Sequence, residues 1–252
     1  MLGEGAVLAF LGGLAAGSFV TVVAHRVPRG ESIVAPRSRC PGCGAQIAAY
    51  DNIPVFSWLV LRGRGRCCGE AISARYPLAE LGLGLAYLAT VLVLHRDPAE
   101  LAMGLVLVTA LMAVTMTDLE RRVIPNKILL VTAIAGVAIA AALDPSSLPE
   151  RALAAAAAGG LLFLAALAYP SGMGLGDVKL AAVMGLFLGR NVAPALLVAL
   201  LAGSAVGIGL IAREGAVARK KAIPFGPFLA LGAMVGLLAG NELVGWYLGT
   251  FS

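Results

Sequence analysis

Apolar stretches, interrupted by short polar pieces rich in glycine and proline, fall at about residues 5–24, 77–95, 100–117, 125–143, 151–169, 178–189, 194–212 and 223–248. Runs near 20 residues are what a helix needs to cross ~30 Å of hydrocarbon. The pattern predicts an all-α, polytopic transmembrane bundle of seven or eight spans. The count turns on 178–189 and 194–212, separated by "GRNVAP". At ~1.5 Å per residue the first piece reaches only ~18 Å, so the pair either tilts across or re-enters. Both choices return the chain to the same side.

Composition supports the same medium. With 60% hydrophobic residues, 13% charged residues and a mean hydropathy of +0.91, the chain carries more apolar surface than one soluble core of 252 residues could hide. Three parts follow: a first transmembrane helix at 1–24, a water-facing loop at 25–76 and a membrane part at 77–252.

Charge then orients the chain. Of the 19 Lys and Arg residues, 16 fall on one side, in 25–76, at 121, 122 and 127, at 179 and at 213–221; Arg96, Arg151 and Arg190 fall on the other. By the positive-inside rule the N-terminus is outside and the 25–76 loop is cytoplasmic. The formal charge of +5 therefore reports topology. Basic residues dispersed over several loops without an aromatic stacking platform argue against nucleic acid. "GGLAAGS" has the small residues of a signal-peptide cleavage site, but no Lys or Arg precedes His25, so 5–24 reads as a retained helix.

All four cysteines lie in the loop, Cys40 and Cys43 in "CPGC", Cys67 and Cys68 in "RCCGE". On the reducing side of a membrane such clusters favour metal ligation over disulfides. A CxxC turn aims two thiolates at one tetrahedral ion, and a second pair completes a structural zinc site. Adjacent Cys67 and Cys68 fit less readily, because neighbouring side chains diverge in extended backbone. Unmetallated thiols are the alternative.

The five aspartates sort by depth. Asp51, Asp97 and Asp144 fall in loops; Asp118, in "TMTDLERRVIPN", closes one span, and Asp177, in "GMGLGDVK", opens another. A carboxylate near hydrocarbon is costly, ~2.5–3.5 kcal/mol at a helix centre, and is kept for a function or a partner. Helix capping explains Asp177 about as well as function does, since an anion suits a helix N-terminus. It explains Asp118 poorly, because the C-terminal dipole disfavours an anion. Gly172, Gly174 and Gly176 remove side chains just before Asp177 and let another chain lie close. Two facing carboxylates do not both ionise easily; one keeps a proton while the other activates water.

With these residues in view, "GLGDVK" resembles the GxGD motif of intramembrane aspartyl proteases, and "DLERRVIPN" its partner segment. In order along the chain, "GSFVTVVAHRVPRG", "CPGC", "IPVFSWLVLRGR", "AISARYPLAE" and "IPFGPFLALG" are similar to the bacterial type 4 prepilin peptidases. The resemblance implies a bifunctional enzyme of the bacterial cytoplasmic membrane. Such enzymes cleave the basic leader from prepilins and pseudopilins after a glycine, then methylate the new N-terminus with S-adenosylmethionine. It implies Asp118 and Asp177 as the catalytic pair near the cytoplasmic face, supported by Gly174 and Gly176. Cys40, Cys43 and Cys68 fall on the family's metal-loop positions. Two positions depart from the family: Gly65 stands where a cysteine is expected, leaving Cys67 as a displaced ligand, and Thr21 stands where asparagine is usual, in a segment linked to methyl transfer.

Several other residues take plainer readings: His25 as an interfacial anchor, Lys179 as a side chain reaching to the headgroups, and "FGPF" at 225–228 as a kink or groove lining. Glu31, Asp51, Glu70, Glu80 and Glu120 are candidate counter-charges for a basic leader. The alternative function is a proton-coupled transporter or channel using the two aspartates as a relay; the lack of mid-depth acids on a continuing path argues against it.

Overall fold

The computed structural model describes residues 2–40, 42–170, 172–215 and 223–250, and there the chain is helical, with no strand. The basic residues Arg219, Lys220 and Lys221 lie outside the described residues. Among the described residues, seven helical stretches are long and apolar enough to cross a membrane. The chain is a polytopic helical membrane protein, and it divides into two compact units, 1–93 and 94–252.

The first unit holds α1 (Leu2–Arg26), the short α2 (Phe56–Val60) and α3 (Arg75–Leu94). Gly13 and Gly17 of α1 leave no room for side chains against α3: a Cβ on Gly17 would meet Glu80 Cα at 2.6 Å. Small residues of this kind let helix backbones approach where burial alone provides no drive between helices. Glu80 is 8% exposed and accepts the Val55 N–H at 2.7 Å, which fastens the turn before α2 to α3. Asp51 forms a two-pronged ion pair with Arg66 at 2.9–3.0 Å, and that guanidinium lies over the Tyr50 ring. Of the candidate counter-charges, Glu80 and Asp51 are thus engaged internally, whereas Glu31, Glu70 and Glu120 are exposed.

The second unit contains α4 (Pro98–Arg121), α5 (Asn126–Leu143), α6 (Leu148–Ala168), α7 (Leu175–Leu188), α8 (Val192–Glu214) and α9 (Gly226–Gly249). Asp97 caps α4 by accepting from the N–H groups of Ala99 and Glu100. Helix α7 is the innermost, with Leu180, Ala181, Met184 and Phe187 at most 1% exposed. Its closeness to α6 depends on Gly185, where a Cβ would run into the backbone of Ala154 and Ala155; Phe187 similarly fills the space over Gly136 of α5. A 3-10 turn at Gly189–Asn191, entered through Gly189 at φ +53°, separates α7 from α8 and marks the break expected at "GRNVAP". At that end Arg151 is buried, donates to the Phe187 carbonyl at 2.6 Å and pairs with Glu100.

Candidate functional site

Helix α4 runs to Arg121, so Asp118 sits inside its last turn, where Arg122 at φ +55° ends the helix by donating its N–H to the Asp118 carbonyl at 2.9 Å. Asp118 is 5% exposed, and its Oδ2 accepts the N–H of Gly226 at 2.8 Å. Gly226 is the first residue of α9. "FGPF" is therefore more than a kink: it brings a backbone donor to Asp118.

Asp177 is half-buried in the first turn of α7. It is the third helical residue, with Gly174 as the residue before the helix, and its side chain closes a capping box there, so the helix-capping role expected of Asp177 is present, from inside the first turn. Its Oδ2 reaches back to the Gly174 N–H at 3.3 Å, and a Cβ on Gly174 would lie 3.4 Å from that same oxygen. Gly176 has a different reason. Ile124, in the turn between α4 and α5, occupies the space its side chain would need, at 3.0 Å. Lys179 does not run free to a headgroup; its Nζ donates to Asn126 Oδ1 at 3.0 Å, joining α7 to the start of α5.

Two carboxylates separated by 59 positions in the chain are thereby placed at the ends of two helices that pack against each other. Each has one oxygen held by a backbone N–H, leaving its second oxygen for a proton or a water. Sequence reasoning missed Gly226, Ile124 and Asn126 as parts of this arrangement. The "IPFGPF" and "VIPN" strings were the available signal, but neither contains a charged group that distance in sequence could connect to an aspartate.

The cysteines form a second cluster, in the first unit. The isolated bridges Arg39–Gln46 and Arg64–Ala71 close two turns whose described residues make matching backbone hydrogen bonds. In the first, Cys40 N–H donates to the Ala45 carbonyl at 2.8 Å and Gly44 N–H to the Cys40 carbonyl at 2.9 Å. In the second, Gly65 N–H donates to Glu70 at 2.7 Å and Gly69 N–H to Gly65 at 2.8 Å. Gly44 and Gly69 end the turns at φ +72° and +71°, where glycine avoids the left-handed penalty. Cys43 and Cys68 correspond in this repeat, and so do Cys40 and Gly65.

The four thiol sulfurs lie within 4.8 Å of one another, with Cys43–Cys67 at 3.2 Å, Cys40–Cys68 at 3.5 Å and Cys67–Cys68 at 3.9 Å. Tetrahedral zinc at ~2.3 Å from each sulfur puts the sulfurs about 3.8 Å apart, so the donor set fits the ion in kind and spacing. The expected divergence of Cys67 and Cys68 does not occur, because 66–68 is a turn rather than extended backbone. Hydrogen bonds from the Cys43 backbone and then from the neighbouring thiols pull the Cys40 thiol down to about 6, while Cys67, crowded first by Cys43 and then by Cys40, is pushed up to about 12. Crowded thiols give up one proton readily and resist losing the next; a dication reverses that resistance.

Thr21 is 8% exposed and donates its hydroxyl to the Ser18 carbonyl at 2.7 Å, within α1. His25 is exposed, and its carbonyl accepts from Arg29.

The bacterial peptidase A24 N-terminal domain model matches residues 11–94, and the type IV leader peptidase family model matches 105–211. Curated relatives carry the name prepilin leader peptidase/N-methyltransferase, among them the following three. That of Aeromonas hydrophila is 37% identical, aligning 97% of this chain with 94% of its own length. That of Bacillus subtilis (strain 168) is 34% identical over 95% of this chain and 96% of its own. That of Burkholderia pseudomallei (strain K96243) is 34% identical over 91% and 84%. No solved structure shows a significant match.

Proposed function

This chain belongs to the type IV leader peptidase family, and from that premise we propose that Asp118 and Asp177 are its catalytic pair, hydrolysing the leader peptide bond of prepilins and pseudopilins. The observation that supports this reading is a pair of carboxylates at the end of α4 and the start of α7, two helices that pack together, each held through one oxygen by a backbone N–H. In the reaction one carboxylate takes a proton from water as the water attacks the scissile carbonyl. The other, protonated, gives its proton to the carbonyl oxygen; collapse of the tetrahedral species returns that proton and delivers one to the leaving amine. Gly174 and Gly176 support the pair in this reading, Gly174 by offering its N–H to Asp177 and Gly176 by letting Ile124 of the α4–α5 turn pack close beside it. The transporter or channel alternative finds no support among these relatives.

Cys40, Cys43, Cys67 and Cys68 are the ligands of one structural zinc in this reading, which staples the 25–76 loop. N-methylation of the newly exposed residue is the second activity. S-adenosylmethionine would supply the methyl group; it enters through the family alone, and no described residue is assigned to hold it. The membrane is the bacterial cytoplasmic membrane, with the N-terminus outside and both aspartates near the cytoplasmic face, a reading supported by the Lys and Arg distribution. The loop at 25–76 and the membrane part at 77–252 then divide the metal-linked and peptidase roles. The deciding experiment incubates purified protein in lipid nanodiscs with a prepilin and follows leader loss by mass. A protein that leaves the leader intact across the pH range would overturn the peptidase.

A further inference from the structure

An anion at the C-terminal end of α4 is opposed by that helix's dipole, so Asp118 needs a compensating partner from elsewhere. The partner is the Gly226 N–H, 2.8 Å from Oδ2. It belongs to the first turn of the 24-residue helix α9, whose leading N–H groups have no intrahelical acceptor. The next residue, Pro227, has no N–H to offer. Nothing in the backbone conformation requires glycine here, since φ at 226 lies outside the left-handed region. The requirement comes from the acid: a Cβ at 226 would sit 2.8 Å from Asp118 Oδ2 and 3.2 Å from its Cβ and Cγ. The turn is seated from the other side as well, with the Phe225 ring filling the space over Gly203 of α8.

We propose that Gly226 is a positioning residue of the peptidase: its N–H fixes one edge of Asp118, and the absence of a side chain lets α9 bring that N–H into place. The proposal rests on the reading of Asp118 as catalytic. The donor occupies Oδ2 and leaves Oδ1 as the edge that exchanges protons with water and with Asp177. The charged groups acting on this carboxylate are Arg122, from its own helix end, and Asp177, from α7.

The test uses Gly226→Ala in the full chain, in nanodiscs with a synthetic prepilin, beside Asp118→Asn. The added methyl group displaces the carboxylate, and a misplacement near 1 Å costs on the order of 100-fold in rate. The expected result is a kcat lowered by about that factor with KM nearly unchanged, and a pH profile of kcat that is displaced, which a defect in helix packing alone would not produce. Melting is compared in the wild-type and Asp118→Ala backgrounds. Alanine at 118 vacates the space of Oδ2, so Gly226→Ala should lower the Tm of the first and largely spare the second. If Gly226→Ala alone does not fold, folding of the double variant supports the proposal and its failure overturns it. Cleavage within about threefold of wild type, an unmoved pH profile, or an equal Tm loss in both backgrounds also overturns it. If Asp118→Asn still cleaved, the catalytic reading itself would fall, a result separate from anything Gly226→Ala does.

Discussion

Gly65 stands in the second cysteine turn where Cys40 stands in the first, and the Cys67 thiol lies 3.9 Å from where a Gly65 side chain would begin. Cys40 Sγ is at the same distance from that point. Cys67 thus brings its sulfur from two positions along the turn into the corner that the repeat leaves empty.

The zinc content should follow that substitution. The parent protein is expected to hold about one zinc per chain. Cys67→Ser should weaken retention by more than the roughly 10- to 100-fold that loss of an outer partner costs. Gly65→Cys combined with Cys67→Ser should restore it. Elemental analysis and competition with a chelator measure all three. A double variant as weak as Cys67→Ser would break the equivalence of the two positions.

Replacing either acid should stop cleavage. Asp118→Asn and Asp177→Asn each remove one half of a proton-sharing pair, so leader loss by mass should drop to background while the proteins insert and melt as the parent does. Substantial turnover by either purified variant excludes a two-carboxylate mechanism.

Methyl transfer should separate from hydrolysis. It needs an amine nucleophile and a methyl donor, not a shared proton, so both Asp→Asn variants should still label a synthetic, already-cleaved pilin from methyl-labelled S-adenosylmethionine. Cys40→Ser with Cys43→Ser should lose labelling through lost metal-coupled folding of the loop. The reverse pattern would mean that the two activities are not divided between these parts of the chain.

Helix packing gives a stability contrast. Gly185→Ala pushes a methyl group into the backbone of α6 and should cost about 1–3 kcal/mol. Gly160→Ala, in α6 with nothing within 4 Å of its added Cβ, should be neutral or gain up to ~1 kcal/mol of helix propensity. Thermal melts in one detergent compare the pair, and equal losses would contradict the close approach of α6 and α7.

The helical class was legible because twenty-residue apolar runs have few other uses, and the strings "GLGDVK" and "DLERRVIPN" singled out Asp177 and Asp118 as candidates. The boundaries were less so. Helix α4 continues past Asp118 to Arg121 because a polar last turn costs little where the helix meets water, and hydropathy does not see it. The Gly226–Asp118 contact spans 108 positions and depends on a backbone amide, which has no sequence identity at all. Cys67 and Cys68 join the cluster as expected, and only the divergence of their side chains fails, because it assumes extended backbone where Gly69 permits a turn. Asn126 was invisible as the partner of Lys179 because the two are joined only by the folding of α5 against α7.

Helix α7 is 14 residues long, about 21 Å at the standard rise, against ~30 Å of hydrocarbon. It escapes hydrophobic mismatch because it is sheathed: protein side chains, not acyl chains, surround most of it, and polar groups close both ends, Asp177 at one and the Phe187–Arg151 bond at the other. Irregular backbone at such depth is tolerated only when protein encloses it. The exposed apolar side chains that lipid would meet lie on longer helices, among them Leu130 and Ile134 of α5 and Leu197 and Ile208 of α8. A change in acyl-chain length is therefore expected to reach Asp177 less than it reaches the outward faces of α5 and α8, and leader cleavage should vary little between nanodiscs of thinner and thicker lipid.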